Sequence, residues 1–333
     1  MVELSGPPPR LLHDDGTIAR YGMFDGPIAD VDLIDAKIPG RPGVLGRLRL
    51  KQWQHVCIVH PQAGLTFAVV DAGYLRLGWA RFVDRVTGES YEHEVKSPVL
   101  SMAIARSLTD DRTWLHSRGL RIDIHNHLRA SRHQVTLEAT GRQAPTVRAE
   151  LTVHADWTPL VVNLPLGRGR SMYSHKAVQP VSGWFEAGGT RYECDPKTCF
   201  AILDIHKAHY PRRTFWNWAT LVGSAGDKTV GLNLTRNVVV DDSFHENAVW
   251  VDGQLSLLDA ARFDLSDDTR WTVGTADGRV DLVFQAQGER REDLNLGVMV
   301  SVFRQRFGTF TGRIADHEVR DAFGLVEDHR SVW

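Results

Sequence analysis

Alternation of apolar and polar residues with a period of two dominates this chain. Leu120, Ile122, Ile124 and Leu128 fall on one face, against Arg121, Asp123, His125 and His127 on the other. Val135 and Leu137 alternate with Thr136 and Glu138, and Val147, Ala149, Leu151, Val153 and Ala155 alternate with Arg148, Glu150, Thr152 and His154. Successive side chains of an extended chain point to opposite faces, so each run predicts a half-exposed antiparallel strand. Leu65 to Val83 is rich in β-branched and aromatic residues, Thr87-Gly88 marks a turn, and Tyr91 to Val95 returns. In the second half Val230, Leu232 and Leu234 alternate with Gly231, Asn233 and Thr235, while Asp252-Gly253 and Asp277-Gly278 are hairpin signals between strand-like runs. Strands at about ten-residue spacing predict a sandwich or barrel pair rather than βαβ units. Two short segments, Met102 to Leu108 and Asp316 to Phe323, carry helical spacing.

Before Arg47 the chain is punctuated by Pro7-Pro8-Pro9, Asp15-Gly16, Gly26-Pro27, Pro39-Gly40 and Pro42-Gly43, which predict an arm that wraps a sheet. The stretch Pro159 to Pro180 reads as a crossover. The expected organisation is therefore all-β, a pair of sandwiches or barrels, with an N-terminal β domain over 1–168 including the arm and a second over 169–333.

Composition narrows the function classes. The 333 residues carry 39 basic and 41 acidic side chains, a formal charge of -2, which offers no field to attract nucleic acid or an anionic membrane. Cys57, Cys194 and Cys199 are too few for a disulfide framework and lack zinc-ligand spacing, so reduced thiols in a cytoplasm are the simpler expectation. No run reaches the roughly 18 apolar residues of a membrane span, and the first residues do not read as a signal peptide. No nucleophile elbow, P-loop or dinucleotide fingerprint is present, and no cofactor is implied.

Candidate chemistry concentrates in FAILDIHKAHYPRRTFWNWA, Phe200 to Ala219. If its start is a strand, Phe200, Ile202, Asp204 and His206 share a face, and Asp204 lies among apolar groups. A carboxyl there either pairs with Lys207, Arg212 or Arg213, or stays protonated with a raised pKa. The first alternative is a structural ion pair and the second a general acid. Pro211 ends the strand, so His209 and Tyr210 begin a loop. Trp216 and Trp218 then point one way and Asn217 the other. Hydration of an alkene needs a proton donor, a group that tolerates a carbocation and a directed water. Asp204 would be the donor, the two indoles would face the cation, and His209 or Glu246 would take the proton from water, with Arg212, Lys176 and Asn233 orienting polar atoms. His175, His206, Tyr210, His245, Asn247 and Trp250 complete the candidate lining. His206 and His209 have i, i+3 spacing, yet Pro211 argues against a helix and no third ligand is fixed, so no metal site is expected.

The ordered set LRLKQW (Leu48 to Trp53), GYLRLG (Gly73 to Gly78), YSHKA (Tyr173 to Ala177), AHYPRRTFWNWA, VGLNLT (Val230 to Thr235), HENAVWVDG (His245 to Gly253), FGTFTG (Phe307 to Gly312) and GLVEDH (Gly324 to His329) resembles an uncharacterised bacterial domain-of-unknown-function family over nearly the whole chain. That family is similar, more distantly, to the tandem lipocalin-like proteins that include hydroxyneurosporene synthase, a carotenoid hydratase. The resemblance implies two distorted antiparallel barrels and a large apolar cavity. Two functions remain: a cofactor-independent acid-base enzyme, hydratase or isomerase, acting on an isoprenoid, lipid or aromatic compound, and a non-catalytic carrier or sensor of such a ligand. Sugar binding on Trp platforms is a third reading, which the arginines crowding the indoles disfavour.

Overall fold

The computed structural model describes residues 4–40, 43–142, 144–236, 244–267, 269–295, 297 and 300–333. Pro42 of the Pro42-Gly43 signal and the first three residues lie outside them. The chain is all-β, two lipocalin-like curled antiparallel sheets in tandem, and divides into two units.

In the first unit, Leu4–Asn163 with Arg168–His209, strands lie in the order Ser90–Ser97, Arg76–Asp84, Ala63–Asp71, Lys51–Val59, Phe200–Ala208, Ser171–Ala187, Val147–His154, Arg132–Ala139, Leu120–His127, Asp111–Ser117 and Ser101–Ala103. Strand Ser171–Ala187 is the corner. Its Met172–Pro180 half pairs with Phe200–Ala208, and its Val181–Ala187 half pairs with Val147–Val153. Gly183 makes the change of partner possible: its φ is +110°, and a Cβ there would stand 2.2 Å from the Glu150 carbonyl oxygen. His93 Nε2 lies 2.8 Å from the Pro145 carbonyl oxygen, linking the edge strand Ser90–Ser97 to the segment ahead of Val147–His154 as the sheet curls. Register sends Val56, Phe67, Ala177, Ala201 and Leu203 to one face, where they join Ile122, Ile124, Val135 and Leu151 in the apolar core.

The arm packs its own apolar residues. Leu11, Phe24, Ile28, Val31 and Leu33 are buried with Tyr173 and Ile205, and Gly22–Phe24 pairs with Val161–Asn163. It also holds one short helix, Gly43–Arg49, in a region whose turn signals predict none.

The second unit, Tyr210–Trp333 with Leu164–Gly167, orders its strands Gln254–Leu257, Ala248–Val251, Lys228–Arg236, Arg213–Ala225, His317–Val332, Val300–Ile314, Val280–Asn295, Arg270–Thr275 and Ala261–Asp264. Ala219, Leu221, Leu232, Val249, Phe284, Phe310 and Val326 form its core. Arg236 donates to the Phe263 carbonyl at 3.2 Å, joining strand Lys228–Arg236 to the edge strand Ala261–Asp264 at the far side of the sheet as it curls. The turn at Asp252-Gly253 has positive φ at both residues, the type I′ geometry that the pair predicts.

Three expectations are corrected. Met102 to Leu108 is not helical: Ser101–Ala103 is a strand, and Met102 and Ile104 pack on the core with period two. Asp316 to Phe323 is a turn leading into His317–Val332, whose pairing with Val300–Ile314 supplies the hydrogen bonds a lone helical turn would have to make internally. The stretch Pro159 to Pro180 holds two strands rather than a crossover, and strands Ser171–Ala187, Thr190–Cys194 and Phe200–Ala208 join the first sheet. Backbone pairing, invisible to composition, decides that membership.

Candidate functional site

Strand Phe200–Ala208 is buried along its whole length, with neighbours on both sides. Its inward set faces the apolar core. Its other set, Phe200, Ile202, Asp204 and His206, looks the opposite way, and register brings Lys176 and His55 beside Asp204 and brings Ser174 and Trp53 beside His206. The result is a polar cluster on the sheet face away from the core. Lys176 Nζ stands 2.8 Å from Asp204 Oδ1, and the Trp53 indole N–H donates to Oδ2 at 2.9 Å. Trp53 and His206 stack with ring centroids 4.1 Å apart and planes within 4°. Next to them His55 Nε2 is 2.9 Å from Thr66 Oγ1. Asp204, Lys176, His206 and His55 are at most 5% exposed.

Electrostatics set the protonation states. Burial pushes the Asp204 carboxyl upward, but Lys176, His206 and the Trp53 hydrogen bond outweigh it and hold the group below the usual carboxylate range. The reading of Asp204 as a protonated donor therefore gives way to that of an ion pair, and the counter-ion is Lys176 rather than Lys207, Arg212 or Arg213. Lys207 points to the other face and donates to the Ala105 carbonyl at 2.6 Å, and Arg212 and Arg213 are exposed. Burial lowers His206 to about 3, Asp204 raising it in part, so the imidazole is neutral.

The remaining candidates scatter. His175 lies on the core-side face, lowered to about 3 by burial and by His133, which bonds Asn126 Oδ1 at 2.8 Å as Gln54 does at 2.9 Å. His209 is held near 4 by burial and by the Lys51 charge, and its backbone N–H donates to Ser171.

In the second unit a separate cluster forms. Trp216 Nε1 donates to Glu327 Oε1 at 3.1 Å and Gln305 Nε2 to Glu327 Oε2 at 3.2 Å. His329 meets Trp216 edge-on at 4.2 Å, is 2.9 Å from Ser301 Oγ, and is lowered by burial to about 3. Tyr210 stacks between Trp216 and Trp333. Trp218 Nε1 donates to Asn233 Oδ1 at 2.7 Å, and Asn233 in turn donates to the Glu246 carbonyl. Asn247 is a backbone clamp: it accepts from Thr235 N–H at 2.8 Å, donates to the Asp259 carbonyl at 3.1 Å, and its own N–H bonds His245 Nδ1. Glu246 and Trp250 are buried. Asn217 points to the opposite face and binds Arg236 and Asp328.

Sequence reasoning passed over Trp53, His55 and Gln305 as site residues and read Glu327 and His329 as part of a closing C-terminal strand, and both do lie on strand His317–Val332. The available signal was the period of two inside motifs already singled out: Trp53 at the end of LRLKQW, and Glu327 with His329 in GLVEDH.

The model of the family described as Domain of unknown function (DUF2804) matches residues 2–333. The chain belongs to that family. Among solved structures it is similar to CghA bound to Sch210972, with a TM-score of 0.54 at 13% identity over 96% of this chain and 97% of that one. Kievitone hydratase from Nectria haematococca gives a TM-score of 0.53 at 12% identity, covering 93% of this chain and 96% of the neighbour. At such identities the likeness is one of fold. No curated protein matches the chain. Among the described residues of this family member no helix is long and apolar enough to cross a membrane, a statement that leaves strands aside.

Proposed function

We propose that the chain is a cofactor-independent acid-base enzyme of the hydratase or isomerase type, acting on a hydrophobic small molecule such as an isoprenoid, lipid or aromatic compound. The observation that carries this reading is the buried Lys176–Asp204 pair beside a neutral imidazole stacked on Trp53. A charge pair withdrawn from water is costly to keep, and groups whose protonation is strongly perturbed cluster at functional sites. In hydration, Lys176 would give its proton to the alkene carbon, Asp204 would stabilise the developing positive charge, and the attacking water would return a proton to Lys176 while His206 orients it. Trp53, rather than Trp216 or Trp218, is the indole beside the carboxylate and could face a cation. One of the two solved neighbours, which show the fold, is named a hydratase, in coarse agreement with this reading.

The test begins with native mass spectrometry of protein purified from its own host, to identify a retained ligand, followed by turnover of that ligand in D2O. Lys176→Met and Asp204→Asn should each lower kcat by about 100-fold or more, with deuterium entering the product in the parent enzyme. Full turnover in both variants would remove the pair from the chemistry. The carrier reading has its own support, because Asp204 has all its charge satisfied within the fold. A ligand retained by parent and variants alike, with no conversion in any, would establish it.

A further inference from the structure

His125 and His127 stand two apart on strand Leu120–His127, so both imidazoles leave the same side of the sheet. The other side of that strand carries Leu120, Ile122 and Ile124 into the core, which fixes its orientation. Asp110 reaches the same spot from the residue just ahead of strand Asp111–Ser117. Its Oδ1 is 3.2 Å from His125 Nε2 and 3.1 Å from His127 Nδ1, and one atom from each of the three side chains lies within 4.8 Å of the others. A backbone hydrogen bond from Leu128 N–H to the Leu108 carbonyl, 3.1 Å, ties the segment that carries Asp110 to the strand that carries the histidines.

We propose that Asp110, His125 and His127 form a binding site for a divalent transition ion, Zn2+ foremost, through two imidazole nitrogens and one carboxylate oxygen, with solvent completing the shell. Ligands about 2.0–2.2 Å from zinc stand roughly 3.3–3.5 Å apart around a tetrahedron, and the two carboxylate-to-imidazole distances already approach that. The donor set suits a borderline ion, whereas Ca2+ takes six to eight oxygens and Mg2+ a near-octahedral oxygen shell. Side-chain exposures of 60% for Asp110, 41% for His125 and 27% for His127 leave the approach from solvent open. Two cations flank the site across the ladder, Arg112 opposite His125 and Arg132 opposite His127. Arg112 is drawn aside by Asp123, 3.6 Å from its guanidinium, and the Asp110 carboxylate offsets the charge nearest the ligands. Pinning Asp110 to the strand end would brace the turn between two strands, and the open coordination position would accept an anionic or neutral ligand.

The experiment is equilibrium dialysis of the full-length, tag-free protein against Zn2+, with Co2+ as a spectroscopic stand-in. One equivalent should bind, Co2+ should give the intense d–d bands of a low-coordinate site, and Asp110→Asn, His125→Gln and His127→Gln should each weaken binding by at least about tenfold. His116→Gln, on the same sheet face but bonded to Asp123 instead, should leave affinity unchanged. Thermal unfolding in chelator, equal for parent and variants, would show that the fold survives the substitutions. Absence of stoichiometric binding, or equal affinity in the parent and in His125→Gln/His127→Gln, would overturn the site.

Discussion

An aspartate on a fully buried strand has two stable solutions, to stay protonated or to find a cation, and Asp204 takes the second because register sets Lys176 directly opposite it. Removing one partner strands the other charge in a medium that cannot solvate it, which costs far more than the pair is worth. Lys176→Met should therefore destabilise the fold by about 3–5 kcal/mol in urea titration, and Lys176→Met/Asp204→Leu should recover much of that. A Lys176→Met midpoint equal to the parent's would mean that the pair is solvated. Asn247 works through the backbone instead. Asn247→Ala, which removes a hydrogen bond to Thr235 and one to Asp259, should cost about 2–3 kcal/mol, read from the same titrations, and should not alter ligand retention.

At the scale of the element, glycines decide how tightly the sheets coil. Gly308 and Gly324 oppose each other on adjacent strands. A Cβ on Gly308 would stand 2.0 Å from the Gln285 carbonyl oxygen, and one on Gly324 2.0 Å from that of Thr220. Neither atom is a flexible side-chain end that could move away, so the strands must separate to admit a methyl group. Gly308→Ala and Gly324→Ala should each cost about 1–3 kcal/mol, whereas Gly43→Ala, where an added Cβ meets nothing within 4 Å, should be tolerated. Thermal melts of the three variants give the comparison, and equal melting temperatures would refute the coiling argument. Both glycines lie in motifs, FGTFTG and GLVEDH, that sequence reasoning had noted without a mechanism.

For the whole molecule, the buried imidazoles couple folding to pH. His206, His175 and His329 are lowered to about 3 and His133 and His209 to about 4, burial being the first cause in each. In the native state they stay neutral while the unfolded chain protonates them below about 6.5, so the unfolded state binds more protons and stability falls with pH. Asp204, lowered by its partners, adds the same sign at the acid end, as its stability is lost below its unfolded pKa. Each histidine contributes up to about 1.4 kcal/mol per pH unit between roughly 6.5 and its native value. Urea midpoints should thus drop steeply from pH 7 to pH 4.5. A flat profile across that window would show that these imidazoles are open to solvent.

The alternation of side chains was enough to mark an all-β chain, because period two and turn residues are local and survive in a linear string; the ordered motifs added the family and its tandem barrels, and residue chemistry alone drew attention to Asp204, His206 and Lys176. Which strands belong together was not local. The pairing of Phe200–Ala208 with Lys51–Val59, and with it the indole beside the carboxylate, joins residues such as Trp53 and Asp204 that lie 151 positions apart, and the corner at Gly183, the counter-ion Lys176 and the third ligand beside His125 and His127 likewise depend on pairing between strands. Alternation names the face on which a side chain stands, and only the register between distant strands names its neighbour.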